Sequence, residues 1–447
     1  MTTPSTGRVR IEAAARLVVA VLLVALAGCT GRGESPPRPR PVASPSVPAA
    51  EDLVSRSLQD IERYWADTYP ALSGGAPFEP LQGGYHPYTE ADPPPPCGGE
   101  ESVYQPNAFY CPTGDFIAWD DQLLIPQLRT QFGSLLVGVV MAHEYGHAIQ
   151  ARLGLTDQPS VVLEQQADCF AGAWLAEALA GRSTAYSGIT PAQLDNTIGG
   201  LLLLRDQPGM SATAEGAHGN AFDRVRAMQD GIQQGAAVCA GYSADNLPVT
   251  EVPFTRLDDA RSGGNLPYDE AVDTLSRDAE AYWGRTFPGL AGRPWRPLPV
   301  RAFDSAAPAC ANPDAVAGGA AFYCPDGEFI AFDNAQLGPA LYRSAGDNAV
   351  GMLIGELFAR AAQHRRGAST REAAGQLAVD CLAGSWTNDL LNRDDSGRTT
   401  RLSPGDLDEA VAALLAFGRA AEGSGPSAFD RIAAYRKGVL QGLPACE

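Results

Sequence analysis

Two segments of the chain predict long helices, and the first is apolar enough to predict that it is buried. The first runs from about Ser134 to Arg152, is nearly all apolar before His143, and is followed by Gly154, a residue type that commonly ends helices. The second runs from about Val161 to Ala180. Upstream of both, Leu53 to Tyr69 alternates apolar and charged residues at helical spacing. Helices are therefore predicted to form most of the core.

Turn-forming residues add a small sheet to this picture. The segment Phe109 to Trp119, with Pro112-Thr-Gly-Asp115 at its centre, predicts a β-hairpin. Thr190-Pro191 predicts another helix start, with Thr as the N-cap and Pro in the first turn, and Ser403-Pro404 repeats this start later in the chain. Mostly helices with one small sheet place each domain in the α+β class.

One pattern of residues occurs twice. The segment Ala108 to Asp120, AFYCPTGDFIAWD, matches Ala321 to Asp333, AFYCPDGEFIAFD. Further motifs match in the same order: Tyr64-Trp65 with Tyr282-Trp283, Asp168-Cys169 with Asp380-Cys381, and Phe222-Asp223-Arg224 with Phe429-Asp430-Arg431. A period this long indicates tandem domains. We predict a first repeat at residues 51–240, a Pro- and Gly-containing linker at 241–262, and a second repeat at 263–447.

The N-terminal residues 1–28 are predicted to be an export signal. Basic residues precede the apolar run Leu17 to Ala27, which is too short to span a bilayer. The stretch Leu26-Ala-Gly-Cys29 resembles the bacterial lipobox, in which the cysteine is acylated; the alternative is an ordinary signal peptide with a chance Cys29. Residues 29–50 are Pro-rich and predict a stalk. The expected location is the extracytoplasmic face of the cell membrane, with a lipid anchor.

The overall charge narrows the possible partners. The net charge is −19 and the pI is about 4.7. Such acidity argues against a nucleic-acid partner and against electrostatic docking on anionic lipid. The acidity is more simply explained as a contribution to solubility.

Eight cysteines other than Cys29 are divided equally between the repeats. Closeness in sequence favours one pairing scheme within each repeat: Cys97 with Cys111, Cys169 with Cys239, Cys310 with Cys324, and Cys381 with Cys446. The competing interpretation, cysteines as zinc ligands, is disfavoured because the second repeat keeps its four cysteines while losing its histidines.

The first buried helix carries the sequence His143-Glu144-Tyr-Gly-His147. Residues four apart lie on one face of a helix, so the two imidazoles can bind one metal while Glu144 lies beside the metal-bound water. Glu164 on the next predicted helix supplies a third ligand, and two His plus one Glu leave the fourth position open, as in catalytic zinc sites. Asp168, four residues further on, can accept the free N–H of a ligand histidine.

These motifs, His143-Glu-Tyr-Gly-His-Ala-Ile-Gln150 and Glu164-Gln-Gln-Ala-Asp-Cys-Phe-Ala-Gly172, resemble the neutral zinc metallopeptidase family of gluzincin type. The resemblance covers the first repeat and extends to the second only as a scaffold. It implies a zincin-like fold, zinc as the cofactor, and Glu144 as the general base. It also implies that the strand Phe116 to Trp119 binds an extended peptide at a sheet edge.

The second repeat lacks every proposed ligand. Gly355, Ala359 and Gln376 align with His143, His147 and Glu164, while Glu356 and Asp380 persist. A purely structural role for the ligand side chains would predict their retention, so this loss favours a metal site in the first repeat alone. The persistence of Asp380 indicates that Asp168 has a folding role as well.

His218 is a further candidate, because it lies in a segment that resembles a family His-Gly segment and is replaced by Gly425 in the second repeat. It is predicted to stabilise the transition state; the alternative is a loop histidine lost by drift. The sequence as a whole predicts a zinc peptidase that acts on peptides or proteins. The alternative is a non-catalytic binding or scaffold lipoprotein of the cell envelope.

Overall fold

Helices dominate the structure, a computed structural model that describes residues 50–99, 104–214, 216–250, 252–254, 257–393, 400–420 and 425–447. The first part of the chain contains α1 Ala50–Leu72, α2 Leu124–Phe132, α3 Ser134–Leu153, α4 Ser160–Leu179, α5 Pro191–Leu201, α6 Ala221–Gln234 and α7 Ala236–Ala240. The later part contains α8 Leu257–Ser262, α9 Tyr268–Ala291, α10 Leu337–Ser344, α11 Asp347–Arg365, α12 Ala373–Leu391, α13 Asp406–Ala420 and α14 Ala428–Gln441. The predicted export signal, Cys29 and the Pro-rich segment lie outside the described residues.

Each repeat also contains one small mixed sheet. The strands are β1 Gly84–Tyr88, β2 Ala108–Cys111, β3 Phe116–Asp120, β4 Val300–Phe303, β5 Asp314–Val316, β6 Ala321–Cys324 and β7 Phe329–Asp333. The first sheet has the order β1-β3-β2 and the second has the order β4-β7-β6-β5. Helices with small sheets confirm the predicted α+β class.

The expectation that Phe116 to Trp119 forms a sheet edge is wrong. The predicted hairpin does form, as β2 and β3, but β1 pairs with β3 in parallel and makes β3 the central strand. Among the described residues β2 pairs on one side only. Strand β1 was not predicted, because its residues include Gly84 and Pro87, which are poor strand formers.

Helices α3, α4 and α6 form the centre of the first repeat. Both α3 and α4 are apolar on most sides and buried along most of their lengths, as the sequence predicted for α3. Helices α4 and α6 approach closely at Gly172 and Gly231, where any side chain would clash with the backbone of the facing helix. The second repeat has the same close approach at Gly384 and Gly438, between α12 and α14. These glycines therefore set the spacing of the central helices in both repeats.

Each repeat contains two disulfides, and none of the four joins one repeat to the other. They join Cys97 to Cys111, Cys169 to Cys239, Cys310 to Cys324, and Cys381 to Cys446. These are the pairs that closeness in sequence predicted. The thiols are thereby excluded as zinc ligands.

The two repeats pack against each other within one compact unit, Val47–Glu447. Helices α5 and α6 contact α13 and α14, their counterparts in the second repeat. The predicted linker also packs on the first repeat, because the Thr250 N–H donates to Asp223 at 2.7 Å. The boundaries of the two repeats as separate domains stay a prediction.

The helix start expected at Ser403-Pro404 is displaced. Helix α13 begins at Asp406, because Gly405 has a left-handed φ of 100° that interrupts the helix. Thr190 does cap α5, through a capping box with Gln193. Among the described residues, none of the helices combines the length and apolar character needed to cross a bilayer.

Candidate metal centre

His143 and His147 face one side of α3, one helical turn apart. His143 is 8% exposed, and its Nδ1 is 2.8 Å from Oδ1 of Asp168. His147 has its Nδ1 2.9 Å from Oε1 of Gln150. When each Nδ1 carries the proton for its hydrogen bond, each Nε2 presents a lone pair, the form in which imidazole binds a metal.

Glu164 on α4 faces both Nε2 atoms. Its Oε2 is 3.2 Å from Nε2 of His143, and its Oε1 is 3.4 Å from Nε2 of His147. Tetrahedral zinc with ligand bonds of about 2.0–2.1 Å would separate neighbouring ligand atoms by roughly 3.3 Å. Oε2 of Glu164 is buried and lacks a well-formed hydrogen bond. The three side chains therefore fit a divalent metal ion placed between them.

Two residues outside the predicted site hold the ligands in place. Arg224 on α6 donates to Asp168 in a bidentate pair at 2.8 and 2.9 Å, so Asp168 is fixed while it binds His143. Gln150 donates from its amide to the Leu163 carbonyl at 2.6 Å, which orients the oxygen that binds His147. The three-residue spacing of His147 and Gln150 on one helix was the sequence signal for this contact.

Glu144 lies beside the ligands, as predicted from the motif. Its Oε2 accepts a hydrogen bond from the Tyr110 N–H of β2 at 3.0 Å. Burial raises the pKa of Glu144 above its ordinary value, although the nearby His143 and His147 oppose the shift. A carboxylate with a raised pKa, close to the ligands, has the properties of a general base.

The carboxylates and the histidines also shift each other's pKa values. Burial lowers the pKa of His143, but the charge of Asp168 and its hydrogen bond outweigh burial and raise the pKa to about 10. Burial raises the pKa of Glu164, but the proximity of His143 and His147 lowers it well below its usual range. The site thus favours positive charge at its centre.

A cavity of about 510 Å³ opens onto these side chains. It is lined by His143, Glu144, His147 and Glu164, by β2, and by His218. An apolar wall lies beside the ligands and contains Leu124, Leu128, Val139, Val140, Leu201 and Leu204. The cavity is therefore large enough for a side chain of a substrate, and its apolar wall suits an apolar one.

His218 reaches the same cavity but is not grouped with the ligands. Its side chain is 53% exposed, and its Nδ1 is 3.5 Å from Oδ1 of Asp206. Among the described residues, His143, His147 and Glu164 form one potential metal-binding group without it.

The second repeat replaces the site with buried ion pairs. A side-chain Cβ at Gly355 would lie 2.9 Å from the ring of Trp386. Glu356 persists because it accepts from Arg360 at 2.9 Å and pairs with Arg431 at 3.1 Å. Asp380 persists because Arg431 donates to it in a bidentate pair, as Arg224 does to Asp168.

The charge balance of the two repeats differs accordingly. In the second repeat Arg360 and Arg431 neutralise buried carboxylates, and Arg360 also binds Asp314 at 2.9 Å. In the first repeat, no ion pair among the described residues joins Glu144 or Glu164 to an arginine or lysine. Buried carboxylates require a compensating cation, which supports metal binding in the first repeat.

An HExxH helix, a glutamate on the following helix and an adjoining cavity are the features of the zinc-dependent metallopeptidase class. The chain belongs to the family described as "putative neutral zinc metallopeptidase", which matches residues 17–242, just over half of its length. The match covers the first repeat and ends before the second.

Several relatives share this part of the chain. The uncharacterized protein Rv2575 of Mycobacterium tuberculosis is 30% identical over 177 aligned residues, covering 34% of this chain and 59% of that protein. The uncharacterized protein YpfJ of Escherichia coli is 33% identical over 96 residues, covering 17% of this chain and 32% of that protein. The chain thus spans less than two thirds of these relatives. No solved structure matches it.

Proposed function

We propose that the first repeat is a zinc-dependent peptidase that hydrolyses peptide bonds in peptides or proteins. The observation that carries the proposal is the position of Glu164, whose Oε2 lies 3.2 Å from Nε2 of His143 and whose Oε1 lies 3.4 Å from Nε2 of His147, with Glu144 beside them. His143, His147 and Glu164 would hold the zinc. Bound zinc supplies a Lewis acid for the scissile carbonyl and lowers the pKa of a coordinated water.

The chain's own residues do the rest of the chemistry. Glu144 accepts a proton from the attacking water and delivers it to the leaving amine. Asp168, held by Arg224, and Gln150 keep the two imidazoles in the orientation that presents Nε2. His218 lines the cavity and would donate to the oxyanion.

The substrate is expected to lie extended along β2. Ala108, Phe109 and Tyr110 of this strand line the cavity, and among the described residues the outer side of β2 has no strand partner. Strand addition would give main-chain hydrogen bonds, and the apolar wall would receive a side chain. We therefore propose β2, and not β3 as the sequence suggested, as the strand that binds the substrate.

The N-terminal pattern supports a location for this activity. Arg8, Arg10 and Arg16, the apolar run that follows them and Cys29 favour an exported protein held by lipid on the extracytoplasmic face of the membrane. The disulfides agree, because such bonds form in oxidising compartments.

Substitution of the proposed base separates catalysis from binding. Glu144→Gln keeps the size of the side chain but removes the proton acceptor. We expect zinc to remain, measured by metal analysis, while peptide hydrolysis falls by roughly 10²- to 10⁴-fold.

The control is Glu90→Gln, which makes the same chemical change at an exposed residue outside the cavity lining and should leave turnover unchanged. Equal hydrolysis by wild type and Glu144→Gln would refute the assignment of the base. A wild-type protein that binds zinc and peptide but never hydrolyses it would instead support the binding or scaffold alternative.

A further inference from the structure

We infer that the second repeat acts as a built-in partner that positions the metal site of the first repeat through Asp408. This inference rests on the proposed function. It assigns the metal-free repeat a task, and it makes Asp408 a positioning residue that contacts neither metal nor substrate. Hydrogen bonds and the first turn of α6 connect Asp408 on α13 with His143.

The first step is the start of α6. The first N–H groups of a helix have no partner inside the helix and need an acceptor from elsewhere. Asn220 accepts from the Asp223 N–H at 2.8 Å, as the helix's own cap. Asp408 of the second repeat accepts from the Phe222 N–H at 2.9 Å and also binds the Ala221 N–H. Two of the first three donors of α6 therefore depend on the other repeat.

Helix α6 connects this contact with His143 through Arg224. Arg224 lies two residues after Phe222 and is 4% exposed. It holds both oxygens of Asp168, and Asp168 binds Nδ1 of His143 at 2.8 Å. A shift in the first turn of α6 would move the Arg224 backbone and loosen the pair that orients His143.

The contact is reciprocal. Asp195 of the first repeat accepts from the Ala428 and Phe429 N–H groups at 3.3 and 3.1 Å, at the start of α14. From there Arg431 holds Asp380, the counterpart of Asp168. Each repeat thus caps the helix that carries the other's central arginine, as the two subunits of a symmetric dimer would. Only the route from Asp408 ends at a proposed metal ligand.

Asp408 is well placed to transmit the effect of the second repeat. It is 3% exposed, and its other oxygen pairs with Arg205 at 3.0 Å. A buried carboxylate with partners on both oxygens holds one orientation, so the start of α6 is held equally firmly.

The symmetric pair provides a matched test in the full chain. Asp408→Ala and Asp195→Ala each remove one carboxylate cap between the repeats, so their general effects on folding should be alike. Zinc affinity is measured by competition with a chelator, and hydrogen exchange is measured over the first turns of α6 and α14.

For Asp408→Ala we expect faster exchange at the start of α6 and a zinc affinity about threefold to tenfold weaker, less than for a residue that binds a ligand directly. Asp195→Ala should speed exchange at α14 and leave zinc affinity within about twofold of wild type. Asp408→Asn keeps an acceptor oxygen and should recover most of the affinity, which also tests the inference if the alanine variant does not fold.

Equal zinc affinities for Asp408→Ala and Asp195→Ala would overturn the inference, as would faster exchange at α6 with unchanged affinity. A wild-type protein without zinc would refute the proposed function instead. In that case, proton exchange at the Arg224 Nε–H group is measured by NMR in the metal-free variants. Faster exchange in Asp408→Ala than in Asp195→Ala would support the inference. Equal exchange in the two variants would overturn it.

Discussion

At the scale of single residues, the two repeats differ in the cation that can compensate the charge of their aligned buried carboxylates. Arg431 serves Asp380 and Glu356 in the second repeat, and Arg360 adds a second guanidinium. The first repeat has Ala148 where the second has Arg360, and there the two histidines turn toward Glu164 instead. A divalent ion would restore the balance that arginine provides in the second repeat.

His218 tests how far the site extends beyond the ligands. A donor that acts only in the transition state lowers kcat without weakening zinc. His218→Ala should therefore keep its zinc and lose roughly 10²- to 10³-fold in kcat, with KM nearly unchanged. His364→Ala, an exposed histidine of the second repeat, is the control. Loss of zinc would make His218 a ligand, and normal turnover would make it a loop histidine.

The ligand residues could be predicted from the sequence because helical spacing fixes their geometry. His143 and His147 share a face of α3 whatever the surrounding fold. The loss of both in the second repeat favours a metal-binding role over a structural one. Arg224 could not be assigned in the same way. Its contact with Asp168 depends on how closely α4 and α6 pack, which no local pattern reveals.

At the scale of elements, long apolar helices were predictable and sheet edges were not. The apolar runs of α3 and α4 are longer than a typical strand, so the sequence pattern indicated helices. The short strand β1 has no such pattern. Because β1 was not predicted, β3 was expected to be an edge strand. The helix start at Thr190 was predictable because its cap is local, whereas the contact of Asp408 with the start of α6 comes from the other repeat and has no local sequence pattern.

Two helix starts in the second repeat bring three buried carboxyl groups together. Asp347 begins α11, and Asp406 and Glu409 lie in the first turn of α13. Ligand atoms of the three lie within 4.8 Å of one another. Burial, together with the charges of the other two groups, raises the pKa of Glu409 to about 10. The cluster therefore retains protons at neutral pH.

This cluster makes stability depend on pH. The folded protein holds a proton on Glu409 that the unfolded chain releases above its ordinary pKa of about 4.5, so the unfolding free energy falls as pH rises toward 10. Glu409→Gln stays neutral and should flatten this fall by up to about 1.4 kcal/mol per pH unit. Denaturant unfolding from pH 5 to 9 measures it, with the exposed Glu90→Gln as control. Parallel pH profiles for Glu409→Gln and wild type would contradict the shift.

At the scale of the whole molecule, the two repeats share the features that hold the fold and differ in the proposed metal ligands. Both repeats keep the disulfides, the close glycine contacts and the arginine–aspartate pair, while the ligands remain in the first alone. The features shared by both repeats support folding, and the proposed zinc ligands are confined to the first. A second repeat that lacks these residues and packs on the first agrees with the supporting role inferred above.

The zinc content of the compact unit, residues 47–447, tests the central claim most directly. Metal analysis after purification should find one zinc per chain, because the ligand set exists in one repeat. His147→Ala should bring this to none, since two protein ligands rarely retain zinc. A wild-type protein with no zinc or with two, or a His147→Ala variant that keeps its zinc, would contradict the assignment of His143, His147 and Glu164 as the metal site.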